Sequence, residues 1–446
     1  MNETQIIMKN TPIEYNIVKK NIEQSGIKEV GKATIREIKR LIDNIEKESG
    51  EKYIRMEMGI PGLKPSQIAV NAEKEALDNN CAAKYPPLDG LPELKTEISM
   101  FVKNFLDIDI SPLSCIPTAG SIMGGYATFM VAGRRDPKKD TILFIDPGFP
   151  VHKQLVKMVG LKSESFDVYN YRSNKLHDKL ESFLKKGNVS TILYSNPNNP
   201  SWICFTDEEL KIIGELANKY DVIVAEDLAY FAMDFRKDLS EPGKSPFQAS
   251  VAKYTDNYLL MISTSKSFSY AGQRIGLFVI SDKLFERDFE GLSQYYYSTN
   301  FGYCIVHGTV YATTAGCSHS AQYGIAALLK AINNNEYNFI DDIKVYGNRA
   351  AIMKELFTSN GFNIVYDKDI DEPIADGFYF TISYPGFEGE ELIEKLIYYG
   401  ISAIALGPTG SEKTEGLRAC VSQVNPSQFK DLENRLIQFH KEHKIK

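Results

Sequence analysis

The chain has 446 residues, 43% hydrophobic and 24% charged, enough for two domains with sizeable cores. Its formal net charge of -7 excludes the basic footprint of a nucleic-acid binder. Six cysteines (81, 115, 204, 304, 317 and 420) lack CxxC spacing, so they read as reduced thiols and not as a zinc site or a disulfide framework.

The chain starts Met1-Asn2-Glu3-Thr4-Gln5, without the basic and apolar regions of a secretory leader. No run reaches the roughly 18 apolar residues that a membrane span needs. A soluble cytoplasmic protein is expected. The stretch 33–48 carries Ile35, Ile38, Leu41, Ile42 and Ile45 at helical spacing, and Met58-Gly59-Ile60-Pro61-Gly62 ends the pattern as a turn. From Ser66 to Lys330, short apolar runs alternate with helical patterns. The runs 141–145, 191–194, 222–225 and 258–262 read as buried strands, which predicts βαβ units around a mostly parallel sheet. From Gly291 to Leu329 there is no Asp, Glu, Lys or Arg, which predicts burial in a core or a subunit interface. Beyond residue 330, helical segments flank strand-like runs at 378–382 and 416–421, as in a smaller α+β domain.

In an α/β sheet ligands sit beyond the carboxyl ends of the strands, and polar signals follow the apolar runs in this chain. Ala119-Gly120-Ser121 follows Cys115-Ile116-Pro117-Thr118 and opens a helix; its N–H groups suit a phosphate, or it is a plain tight turn. Phe149, in Asp146-Pro147-Gly148-Phe149-Pro150, is placed to lie on an aromatic ring or simply to pack. Ser195-Asn196-Pro197-Asn198-Asn199-Pro200-Ser201-Trp202 offers side-chain amides fixed by two Asn-Pro steps, or an Asx turn. Glu226-Asp227-Leu228-Ala229-Tyr230 puts a carboxylate at a strand end and a phenol three residues on. Such an acid suits a pyridine nitrogen, although acids often end strands. Arg418 lies in an apolar run and needs an anion, either a substrate carboxylate or an internal partner.

Ser263-Thr264-Ser265-Lys266 followed by Gly272-Gln273-Arg274-Ile275-Gly276 is the richest segment. A lysine amine condenses with an aldehyde, and hydroxyls with an arginine fork hold a phosphate. Together they suggest pyridoxal phosphate.

In order and spacing, Tyr85 with Gly90, Ala119-Gly120-Ser121, Phe149, Asn199, Asp227 with Tyr230, the Ser263–Lys266 segment, Arg274 and Arg418 resemble the class I/II aminotransferase family. These are fold-type I pyridoxal-phosphate enzymes, and the resemblance spans about residues 50 to 440. It implies the PLP-dependent transferase fold, α/β, with a seven-stranded-type, mostly parallel sheet covered by helices and a smaller α+β domain. The expected domains are an N-terminal segment, 1–65, packing with the small domain; a large cofactor domain, 66–330; and a small C-terminal domain, 331–446.

The resemblance further implies a role for each residue. Lys266 carries the cofactor as a Schiff base and moves the Cα proton. Asp227 pairs with the ring nitrogen, Asn199 and Tyr230 with the ring oxygen, and Phe149 stacks on the ring. Gly120, Ser121, Ser263 and Arg274 hold the phosphate, Ser265 also binds the cofactor, and Tyr85 reaches the phosphate of the neighbouring subunit in a homodimer with shared sites. Arg418 takes the substrate α-carboxylate, with Gly59 and Asn199 lining the substrate pocket. No metal is implied. The activity implied is ping-pong transfer of an amino group from an L-amino acid to a 2-oxo acid. A β-lyase or decarboxylase on the same fold is the alternative, and a non-catalytic cofactor-binding regulator a minor one.

Two departures stand out. Asn199-Pro200-Ser201-Trp202 puts the only tryptophan where the family has the glycine of a tight turn. The stretch 291–329, where many dicarboxylate-specific members carry an arginine, holds no Lys or Arg, and the phosphate turn reads Gly120-Ser121-Ile122-Met123 without a lysine. Neutral or aromatic donors are therefore expected over aspartate.

Overall fold

Seven strands form one sheet in the computed structural model, which describes residues 11–444. They are β1 (Cys115–Thr118), β2 (Thr141–Asp146), β3 (Lys162–Asp167), β4 (Val189–Ser195), β5 (Ile223–Leu228), β6 (Tyr258–Ser263) and β7 (Gly276–Ile280), in the spatial order β1-β7-β6-β5-β4-β2-β3. The pairs among β2, β3, β4, β5 and β6 are parallel, whereas β7 runs antiparallel to both β1 and β6. All residues of β2, β4, β5 and β6 are buried, as expected for strands covered on both faces. The residues Met1–Gln5 lie outside the described residues.

By contacts the chain divides into two units, one of Leu63–Asn199 and Ile203–Lys344, the other of Met1–Gly62, Pro200–Trp202 and Val345–Lys446. The first holds the seven-stranded sheet. The second holds a four-stranded antiparallel sheet of β8 (Asn363–Ile364), β9 (Tyr379–Ser383), β10 (Ile404–Ala405) and β11 (Leu417–Cys420), ordered β10-β11-β9-β8. It also holds the helix Ile35–Ser49, whose buried stripe is Ile38, Leu41, Ile42 and Ile45. Among the described residues, no helix is long and apolar enough to cross a membrane.

The uncharged stretch 291–329 supplies core residues such as Leu292, Phe301, Cys304, Ile305 and Val310, but Tyr295, Tyr297, Tyr303 and Tyr311 stand exposed on the single chain.

The loop after β4 is anchored at its far end by a buried ion pair. Thr206 caps the helix Asp207–Tyr220 in a capping box with Glu209. The Arg172 guanidinium grips the Glu209 carboxylate through two bonds, of 2.8 and 2.7 Å, and also donates to the Cys204 carbonyl. Burial raises the Glu209 pKa, but Arg172 and the Ser173 and Thr206 N–H groups outweigh it and hold the carboxyl below its usual value. Glu209→Ala should destabilise the fold by about 3–5 kcal/mol at neutral pH, because it strands a buried guanidinium. Urea midpoints of the two proteins should converge as pH falls below about 4. There the folded-state advantage of the depressed carboxyl, present above its unfolded pKa, is lost.

Candidate active site

The register sets the site. Ser195 of β4 lies opposite Asp227 of β5, and Leu228 opposite Ile262 of β6, so three parallel strands end together. Because β7 is antiparallel, it begins where they end, with Gly276 opposite both Ser263 and Thr118. Residues after β1, β4, β5 and β6 and those before β7 therefore meet at one edge. Gly120, Ser121, Phe149, Asn199, Asp227, Tyr230, Ser263, Ser265, Lys266 and Arg274 all belong to this unit.

Lys266 sits half-buried on the four-residue helix Thr264–Ser267. That helix is pinned on both flanks. The Thr264 hydroxyl donates to the Ile275 carbonyl at 2.7 Å, and the Ser267 hydroxyl to the Phe231 carbonyl at 2.8 Å. The Ser263 hydroxyl accepts from the Ser265 N–H at 3.2 Å and caps it. Lys266 is thus tied to the loop of Arg274 on one side and to the loop of Tyr230 on the other.

Arg274 lies over the opening turn of the helix Ser121–Ala132. A Cβ added to Gly120 would come within 2.3 Å of an Arg274 Nη, and one added to Gly276 within 2.5 Å of the Ser121 nitrogen. Gly120 has φ 77° and ψ 159°, which a side chain would not tolerate. Two missing side chains thus bring a guanidinium, free backbone N–H groups of a helix start and a serine together. Such a grouping has the donors and charge that could hold a tetrahedral dianion.

Asp227 and Glu226 are adjacent on β5, so alternation sends them to opposite faces. Glu226 is fully buried, accepts from the Ser250 hydroxyl at 2.6 Å and the Val251 N–H at 3.2 Å, and is pushed up to about 7 by burial. Asp227 faces the helix Pro150–Met158 instead, with Oδ2 at 3.1 Å from His152 Nε2 and Oδ1 accepting from the Ala229 N–H. Phe149 packs edge-to-face on His152, 5.8 Å between centroids. A cavity here is lined by Phe149, His152, Lys153, Tyr194, Ser195 and Asp227. Lys153 pairs with the buried Asp146, whose carboxyl burial pushes up against the pull of that lysine.

His152 escaped the sequence reading. It stands three residues after Phe149, the N-cap of that helix, and a lone histidine there carries no signal in the sequence. Of the adjacent amides, Asn198 spends its side chain on the Pro147 carbonyl at 2.8 Å, while the Asn199 N–H donates to the Ser195 hydroxyl at 3.2 Å. Tyr230 is buried, and Tyr85 is 91% exposed, away from any packed position within the chain.

Gly59 and Arg418 belong to the other unit. Arg418, on β11, is buried and donates to the Glu57 carbonyl at 2.6 Å. Its guanidinium lies 4.6 Å from the centroid of the Tyr379 ring. A Cβ on Gly59 would meet the Tyr379 hydroxyl at 1.8 Å. Trp202 has a left-handed backbone, with φ 64°, a conformation that favours glycine. A side chain there costs about 1–3 kcal/mol. Full burial of the indole, an aromatic surface of roughly 150–250 Å² at about 25 cal/mol per Å², offsets it.

Residues 51–436 match the family model for aminotransferase class I and II. A probable aspartate aminotransferase of Methanocaldococcus jannaschii is 24% identical over 361 residues, covering 80% of this chain and 86% of that protein. The LL-diaminopimelate aminotransferase of Aquifex aeolicus is 28% identical over 355 residues, covering 78% and 82%. Among solved structures, alanine aminotransferase from Pyrococcus furiosus superposes with a TM-score of 0.73 at 19% identity, over 92% of this chain and 97% of that one.

Proposed function

The chain belongs to the class I and II aminotransferase family, pyridoxal-phosphate-dependent enzymes, and from that premise we propose that it moves the amino group of a neutral or aromatic L-amino acid to a 2-oxo acid by a ping-pong mechanism. The observation that carries this reading is the convergence of Lys266, Asp227 and the Gly120–Arg274 cradle on one sheet edge. Those residues fit the cofactor: a pinned amine, an aligned carboxylate and an anion cradle.

When bound, pyridoxal phosphate supplies an aldehyde that exchanges amines and a ring that accepts electrons from the substrate Cα. Lys266 Nζ would hold the aldehyde and, once released, would move the Cα proton. Asp227 would pair with the ring nitrogen, its Oδ2 held 3.1 Å from His152 Nε2. Asn199 and Tyr230 would donate to the ring oxygen, and Phe149 would cover the ring. Gly120, Ser121, Ser263 and Arg274 would hold the phosphate, and Ser265 would add a cofactor contact. Arg418 takes the substrate α-carboxylate through its planar fork, with Gly59 lining the substrate pocket. The exposed Tyr85, Tyr297 and Tyr311 support a homodimer in which Tyr85 reaches the partner's phosphate. Six buried cysteines outside any disulfide suit the reducing cytoplasm.

Arg274→Ala should weaken cofactor retention by about 10–100-fold, the worth of hydrogen bonds to a charged group. Dialysis at limiting pyridoxal phosphate reads this directly, and unchanged retention would contradict the phosphate role. The donor class is tested by kcat/KM across individual amino acids. With no cation in 291–329, the second carboxylate of aspartate would be left unpaired, so aspartate should rank below neutral or aromatic donors by about tenfold or more. Aspartate ranking first would refute that preference.

A further inference from the structure

Alternation on the small sheet brings three side chains together. Arg418 of β11 is directly opposite Thr381 of β9, so Tyr379, two residues back, shares its face. The Tyr379 ring carries the Arg418 guanidinium on its face at 4.6 Å. Trp202 packs against the same ring at a steep angle, with the centroids 6.2 Å apart and the planes at 70°. The indole is fully buried, and it lies where residue 377 would need a side chain: a Cβ on Gly377 would come within 2.0 Å of the ring. Trp202 and Gly377 are thus a matched pair, one supplying the bulk that the other lacks. The Tyr379 hydroxyl is held at the opposite end over Gly59.

We propose that Trp202 is a positioning residue for the substrate carboxylate. Its indole keeps the Tyr379 ring from turning, and the ring face together with the Glu57 carbonyl sets the plane of the Arg418 guanidinium. Two-point recognition of a carboxylate depends on that plane, because both oxygens must meet N–H groups of one rigid fork. Trp202 acts through Tyr379 and Arg418, and the inference rests on reading Arg418 as the carboxylate site.

The test uses the holoenzyme and its W202G, W202F and G377A variants. Isothermal titration measures Kd for 3-phenylpropionate, a carboxylate with no amine to react, and steady-state kinetics separates KM from kcat for the fastest amino donor. Cofactor absorbance checks loading. W202G should raise both Kd and KM by about tenfold and leave kcat within about threefold, since the fork is misaligned and the chemistry is not. G377A, which pushes the ring from the other side, should do the same. W202F keeps an aromatic edge and should bind close to the unmodified enzyme. If W202G does not load cofactor, G377A decides alone. Kd within about twofold of the unmodified enzyme in the loaded variants would overturn the inference. R418K separates the two readings: an unchanged Kd there removes the carboxylate site itself. A raised Kd in R418K with unchanged W202G and G377A removes only the positioning role.

Discussion

Lys266→Ala loses turnover by at least about 10⁴-fold, at the upper end of what one positioned proton-transfer group contributes. The size follows from the two roles proposed for one atom, since Nζ would both hold the aldehyde and carry the Cα proton. The surroundings are built for that amine. The helix Thr264–Ser267 is fastened to the Ile275 and Phe231 carbonyls through Thr264 and Ser267, neither of which involves the lysine side chain. Truncation at 266 therefore leaves the scaffold in place. Circular dichroism and the urea midpoint should match the unmodified protein, while the borohydride-reducible visible chromophore disappears. A variant that still fixes the cofactor under borohydride would show that another lysine holds it.

Asp227→Asn is the second large effect, a fall in kcat of about 10²–10³-fold, comparable to removing one preorganised electrostatic partner. The amide keeps the size of the side chain and a partner for His152 Nε2, 3.1 Å away in the native site, but removes the negative charge that would keep a pyridine nitrogen protonated. The companion change Glu226→Gln sharpens the test. Glu226 lies one residue away on the opposite face, bonded to Ser250 and Val251, so kcat should change by less than about threefold. Equal losses in both variants would mean that the carboxylate acts through the strand and not through the ring. Kinetics at saturating cofactor, with bound pyridoxal phosphate measured in parallel, separates lost chemistry from lost binding.

Much of this site was legible because its parts follow buried strands, and buried strands announce themselves as short apolar runs. Thr141–Asp146, Val189–Ser195, Ile223–Leu228 and Tyr258–Ser263 were each visible to within three residues of their ends. Lys162–Asp167 was not, because its sequence Lys-Ser-Glu-Ser-Phe-Asp belongs to an edge strand with exposed and half-exposed positions. The antiparallel direction of Gly276–Ile280 leaves no mark in a hydrophobic pattern, yet it delivers Arg274 to Gly120. His152 was hidden for a related reason: a lone histidine in a helix carries no signal until Asp227 is seen across from it. Trp202 stands where the family has the glycine of a tight turn. Its φ of 64° is left-handed, and the missing side chain of Gly377 leaves room for the indole. The partner that makes room lies 175 positions further along the chain, beyond the reach of local pattern.

The central claim is that Lys266 and its neighbours perform transamination, and a single-turnover experiment addresses it most directly. Cofactor-loaded protein is mixed with individual amino acids, without an oxo acid acceptor, and products are counted per site. The account predicts one 2-oxo acid formed per site, no ammonia and no carbon dioxide released, and a second round only after an oxo acid is added. Repeated release of pyruvate with ammonia, or of carbon dioxide, would contradict it and assign the same fold and the same lysine to a lyase or a decarboxylase.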